Sequence, residues 1–361
     1  MMKKKYLAII IFLICILSIQ TIEAEGNTAN KEIISINNNH DSNLKTNIQY
    51  NDDLIDYNYE EKKCETDKNT TANEEPLTFT KLNETINDNS NSTIYLTNNY
   101  KYNNISDSNF QEGISINRNL TIYGNGVTLD GNKMARIFKV TNLNLNVKFY
   151  NINFINGRSN YGGAIYQANA YNCTFTNNTG YTGGGNNSGG AIYNGNAYNC
   201  TFIHNYAGYY GGAIRNGNAY NCTFTNNNTA QIGGAIYNGS AYNCIFLSNE
   251  AYEGGAICEG NAYNCTFTNN TGSHGGAIKN GNAYNCTFTN NTGVDGGAIR
   301  YGNAYNCTFT NNTGTDGGAI RNGNAYNCTF TNNTFRSSYW NDKFLIAISP
   351  TSVFIALPFL N

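Results

Sequence analysis

The sequence predicts an all-β chain folded as a right-handed parallel β-helix. This is a single-stranded β-solenoid with about 21 residues per coil and a short N-terminal capping helix. Three observations carry the prediction. The block Gly-Gly-Ala-Ile recurs at 162, 189, 211, 233, 254, 275, 296 and 317, each followed by Ala-Tyr-Asn-Cys. The first Gly and the Cys are always 11 positions apart, whereas the stretch from Cys to the next Gly pair runs from 16 down to 10. One half of the unit is therefore fixed by packing, and length variation is confined to a tolerant loop. Thirdly, the chain has only three prolines, Pro76, Pro350 and Pro358, and none lies in the repeat, so every strand there can donate its ladder hydrogen bonds.

Along the chain, Lys3, Lys4 and Lys5 precede an apolar run from Leu7 to Ile19, broken only by Ser18. Residues 1–24 thus read as a secretory signal, with Ala24 before the cut; an uncleaved anchor helix is the other reading, and the run is short for one. Residues 25–75 are polar and poor in large apolar side chains, so a disordered tether is expected. Leu77, Phe79, Leu82 and Ile86 fall on one helical face, the cover that an open solenoid end needs. The β-helix is expected over 76–334, with the cap and irregular coils at 76–157 and the regular repeats at 158–334. In the irregular part, Ile94-Tyr-Leu96, Leu120-Thr-Ile122 and Val127-Thr-Leu129 are strand-length alternations bounded by turn formers. The apolar tail 335–361 reads equally as a membrane anchor or a cover for the last coil.

A period of 21 or 22 residues suits three short strands joined by bends. Coils stacked about 4.8 Å apart, roughly a dozen of them, give a rod of order 55 Å. The Ile of each Gly-Gly-Ala-Ile block must face inward, because a stripe of exposed isoleucines would be an aggregation hazard. Cys and Phe of the Cys-Thr-Phe triplet share the inner face by period 2. The core ladder is then Cys173, Cys200, Cys222, Cys244, Cys265, Cys286, Cys307 and Cys328 with Phe175, Phe202, Phe224, Phe246, Phe267, Phe288, Phe309 and Phe330. A bend at the Asn before each Cys puts Ala inside and Tyr outside; an unbroken strand would instead bury a column of tyrosine hydroxyls in need of partners.

Charged residues make up 13% of the chain and the formal net charge is -2, which gives no reason to expect nucleic acid or an acidic membrane surface as partner. Gly-Gly-Ala-Ile alternating with Phe175-Thr-Asn-Asn178 and Phe267-Thr-Asn-Asn270 resembles the repeats of polymorphic outer-membrane autotransporters. The upstream segments are similar to archaeal adhesin-like proteins. These segments are Phe79-Thr-Lys-Leu-Asn-Glu-Thr-Ile86, Asn119-Leu-Thr-Ile-Tyr-Gly-Asn-Gly-Val-Thr-Leu-Asp-Gly131 and Asn151-Ile-Asn-Phe-Ile-Asn-Gly157. The resemblance implies a pectate-lyase-like parallel β-helix and a surface protein contacting cells or glycans. No translocator barrel or immunoglobulin-like stalk pattern is read after the repeats.

Four constellations bear on function. An aligned Cys column in an exported chain invites disulfides, but stacked side chains point in parallel, so buried free thiols are preferred. Cys258 stands at a position held elsewhere by Tyr, Lys or Arg and is expected outside. No Cys/His cluster suggests a metal, and no cofactor is expected. Arg215, Lys279, Arg300 and Arg321 follow Gly-Gly-Ala-Ile, while Asp295 and Asp316 precede Gly pairs. Lyases on this fold use such groups, yet a solvated ladder with a few surface ion pairs is the preferred reading, since repeats supply copies rather than a unique cluster. The recurring Thr-Phe-Thr, interrupted at Ile203, Ile245 and Leu247, would present an ice-binding array only as a remote alternative. Asn177, Asn269, Asn290 and Asn311 are glycosylation acceptors on the tolerant loop. The function expected is a non-catalytic, secreted or surface-held adhesin, possessing no catalytic residues and contacting glycans or proteins of host or neighbouring cells, with membrane or cell-wall attachment open. The runner-up is a polysaccharide lyase or hydrolase.

Overall fold

The computed structural model describes residues 75–87, 90–181 and 188–336. The signal segment, the tether as far as residue 74, residues 88–89, positions 182–187 and the tail beyond 336 lie outside the described residues. The chain winds as a right-handed parallel β-solenoid. Its corners come from the backbone. In one coil Gly211, Asn216, Asn221 and Asn226 have φ values of 61°, 54°, 53° and 53°. Left-handed geometry disfavours most side chains and is best tolerated by Gly and Asn, which explains the abundance of these two residues at fixed spacing. The Asn before each repeat Cys, from Asn172 to Asn327, is left-handed in every case. The bend expected there is present: Ala219 is fully buried and Tyr220 only partly so.

Four corners make four strands per coil rather than the three expected. In this coil they are Ile214–Arg215, Ala219–Tyr220, Thr223–Thr225 and Asn228–Thr229. Stacking them produces parallel sheets of 10, 11, 11 and 9 strands, here called the Ile, Tyr, Phe and loop faces. The fourth strand was missed because it lies in the tolerant half. The reason it forms is the second Gly of each pair. A Cβ on Gly212 would stand 1.9 Å from the Gly234 carbonyl oxygen, so only glycine lets successive coils close there. The closed corner holds the loop half within bonding distance of its neighbour, as in Asn228 N–H to Asn205 O at 3.0 Å.

The core is a set of one-residue columns. Ile214 pairs with Ile236, Ala219 with Ala241 and Phe224 with Phe246, so like stacks on like. Phe224 and Phe246 rings lie 4.8 Å apart and 4° from parallel. Each buried Phe contributes about 2–3 kcal/mol by area, which makes this column a main source of cohesion. At the N-terminal end, helix Phe79–Asn87 buries Phe79, Leu82 and Ile86 over the first coil. Leu77 departs from expectation: it precedes the helix, bridges to Tyr100 and is 38% exposed. Buried Asp107 caps this helix from a distance, accepting Phe79 N–H at 3.0 Å and Thr80 N–H at 2.9 Å. Among the described residues no helix is long and apolar enough to cross a membrane.

Candidate functional site

Two interior columns hold the corners. At the Asn-Cys corner, the Cys222 N–H donates to Cys244 Sγ at 3.3 Å, and Cys222 Sγ lies 3.2 Å from Tyr220 O. The nine described cysteines are free thiols. Burial pushes thiols such as Cys200 and Cys244 well above their usual range, which keeps them protonated. At the next corner the second Asn of Phe-x-x-Asn does the same task with stronger groups. Asn227 N–H and Nδ2 both donate to Asn249 Oδ1 at 3.0 Å, and Asn227 Nδ2 also donates to Phe202 O at 3.0 Å. Asn178 to Asn312 form this column and are 0% exposed. Reading residue types alone missed the column, although the Phe-x-x-Asn motif contained it.

The outer columns differ from their expected use. The tyrosines of the Tyr face run unbroken from Tyr95 to Tyr326, ring on ring, as with Tyr242 and Tyr263 at 4.8 Å and 4°. Each ring face is therefore covered by its neighbour, and the column offers edges and hydroxyls rather than platforms for sugar rings. The threonines of the Phe face point outward, and Ile245 and Leu247, 49% and 37% exposed, interrupt them. Asn177, Asn269, Asn290 and Asn311 stand at exposed left-handed corners.

Where the loop and Ile faces meet at the Gly pairs, a charged strip forms. On one side Glu253, His274, Asp295 and Asp316 are in register. On the other are Tyr237, Cys258, Lys279, Arg300 and Arg321. Lys279 Nζ is 2.6 Å from Glu253 Oε2, and Asp295 holds Arg300 at 3.2 Å, Arg321, and His274 Nδ1 at 2.8 Å. Arg321 also reaches Asp316 at 3.1 Å. The expected solvated ladder is instead largely withdrawn from water, with Asp295 only 8% exposed. The cause is the bare Gly corner: a Cβ on Gly317 would come 3.1 Å from Arg321 Cβ, so these side chains lie across the glycines. Cys258 sits on the outer side as its register requires, yet it is 1% exposed, because longer neighbours cover it. Burial pushes its thiol up to about 12, so it is not a reactive thiolate. Among the described residues no group of three or more His, Cys, Asp or Glu is placed to hold a metal ion.

The irregular coils carry a different surface. On the loop face a hollow of about 390 Å³ is lined by Lys133, Arg158, Asn177, Thr179, Tyr181 and His204. An adjoining hollow of about 560 Å³ shares Arg158 and Tyr181 with it. The Arg158 guanidinium lies 4.9 Å from the centroid of the Tyr181 ring. Lys133, Arg158 and His204 make no ion pair among the described residues.

With this geometry in view, the comparisons with known proteins are informative about the repeat. The repeat of the Chlamydia polymorphic membrane proteins matches residues 221–239, 285–300 and 306–323. These segments include the buried Phe, the buried Asn and the Gly corner. No curated protein sequence matches the chain. Among solved structures, an alginate lyase, AlyF-OU02 in complex with G6, is 13% identical at a TM-score of 0.44, covering 73% of this chain and 66% of that one. A second alginate lyase, of family PL6 with a trisaccharide, is 14% identical at 0.40, covering 67% and 57%. A mannuronic acid-specific family 6 lyase from human gut microbiota is 11% identical at 0.29, covering 64% and 63%. The chain spans less than two thirds of the length of these lyases, and likeness at this level carries no argument about chemistry.

Proposed function

We propose that this chain is an exported, surface-held protein whose coil stack is a non-catalytic scaffold for contact with cells or glycans. The observation that carries the reading is the fate of its carboxylates. Glu253, Asp295 and Asp316, the acids in register along the Gly corners, each face a Lys or Arg. Acids engaged in this way hold the strip together and are poorly placed to move protons on a substrate. The polymorphic membrane protein repeat supports a surface or outer-membrane location. Its matched residues are scaffold residues, so it supports the scaffold and leaves the ligand to the rest of the surface.

The test uses the full chain, assayed for adherence to cells and to a glycan panel, with depolymerisation of polyuronates measured in parallel. Adherence without chain cleavage is the expected outcome. Cleavage without adherence would replace the scaffold reading with a lyase or hydrolase.

A further inference from the structure

We propose that the two adjoining hollows on the loop face form one groove that binds an acidic polysaccharide, with Lys133 and Arg158 meeting its anionic groups and His204 offering a ring nitrogen for a hydrogen bond. The proposal rests on the surface-contact reading above and names the ligand class and the place.

At three of the Gly corners of the regular coils an acid stands opposite the cation, Glu253 for Lys279 and Asp295 for Arg300 and Arg321, whereas Arg215 lies over the rings of Tyr193, Tyr210 and Tyr237. Even in the irregular coils Lys101 has Asp130 at 3.8 Å and Arg136 has Glu112 at 3.6 Å. Lys133 and Arg158 have no carboxylate partner among the described residues, and they stand with His204 on the rim of one hollow. Among the described residues no carboxylate lines that hollow. In its neighbour the one carboxylate is Glu112, which faces Arg136. Two cations with no carboxylate partner on one concave surface, Lys133 and Arg158, raise the local potential for an anion.

The remaining groups suit a sugar chain. Arg158 is held against the Tyr181 ring, which fixes its guanidinium fork for carboxylate or sulfate. Unlike the stacked column on the Tyr face, Tyr181 is 50% exposed and accessible to a ligand. Asn177 and Thr179 add an amide and a hydroxyl for sugar hydroxyls. The lining residues come from five successive coils, from Tyr102 to His204, so the groove runs roughly 19 Å at the stacking distance of parallel strands. That length fits an extended polymer better than a lone anion. A single accessible ring does not make the stacking array that single-stranded nucleic acid requires.

Isothermal titration of the full chain tests this. The probes are a hexameric oligogalacturonate, a heparin-derived hexasaccharide, a neutral cellohexaose and polyaspartate. The expected result is binding of at least one of the two anionic sugars, weakening as salt rises, with no binding of cellohexaose. Which of the two binds separates carboxylate from sulfate recognition. Arg158→Glu should weaken that binding at least tenfold and Lys133→Ala several-fold. Lys148→Glu, on the Tyr face, should leave it unchanged, and circular dichroism should show all variants folded. Equal binding of cellohexaose, equal binding of polyaspartate, or an Arg158→Glu variant that binds normally would each overturn the proposal. If Arg158→Glu adheres to cells as the parent does, the groove falls and the surface-contact reading stands. If the parent binds neither cells nor any sugar, both fall.

Discussion

The charged strip of the regular coils and the cationic groove of the irregular coils use similar residues to opposite ends. In the strip, register stacks an acidic column beside a basic one, so each charge meets a partner in its own coil or the next. In the groove the repeat is broken, and Lys133, Arg158 and His204 have no acidic column beside them. The contrast teaches that charges pair where an acidic and a basic column run side by side in one register, and that the groove lies where no acidic column runs.

Four measurements test this difference. The largest effect should come from the interior column that both regions share. Asn249→Leu leaves the Asn227 N–H and the Phe224 carbonyl without their buried partner, and should cost about 2–5 kcal/mol in thermal or denaturant unfolding. A neutral result would remove the Asn column from the account of cohesion. Next, Asp295→Ala strips the hub of the strip and leaves Arg300 and Arg321 facing each other. Because these groups are partly exposed, the expected loss is discounted to about 1–3 kcal/mol.

The third concerns acid. Burial alone would push the Asp107 carboxyl up, but hydrogen bonds from Asn103, Thr80 and Phe79 outweigh it and hold the group below its ordinary 3.8. A depressed carboxyl stabilises above its unfolded value, and that contribution is lost as pH falls through the folded one. Amides of helix Phe79–Asn87 should therefore lose hydrogen-exchange protection below about pH 3.8, with the regular coils still protected. Simultaneous loss everywhere would show that the cap is not a separate unit. The smallest effect should be Arg158→Ala. If the groove is built for a ligand rather than for cohesion, this exposed change should shift stability by no more than about 0.5 kcal/mol. A large loss would place Arg158 among the paired, structural charges.

Much of the fold was legible in the sequence because a repeat states each constraint many times. The inward Ile, Cys and Phe and the bend at Asn followed from period 2 and from the left-handed tolerance of Asn. The Asn column was half visible: Phe-x-x-Asn was read as a resemblance, and its physical meaning, a buried amide bonded above and below, was not. The fourth strand and the closed Gly corner were not visible, since a short strand in a length-variable half has no pattern of its own. Cys258 lies on the outer side that alternation predicts, yet it is buried. Alternation sets direction, whereas Tyr237 and Lys279 on either side decide cover.

The coil, its period and its interior follow from the residue pattern, because a one-residue column must satisfy the same packing at every level. The surface follows from how the coils stack. Which charges meet, which rings hide their faces and which cations stay unpaired depends on neighbours from adjacent coils and adjoining sheets, and those distances appear only once the coils are stacked.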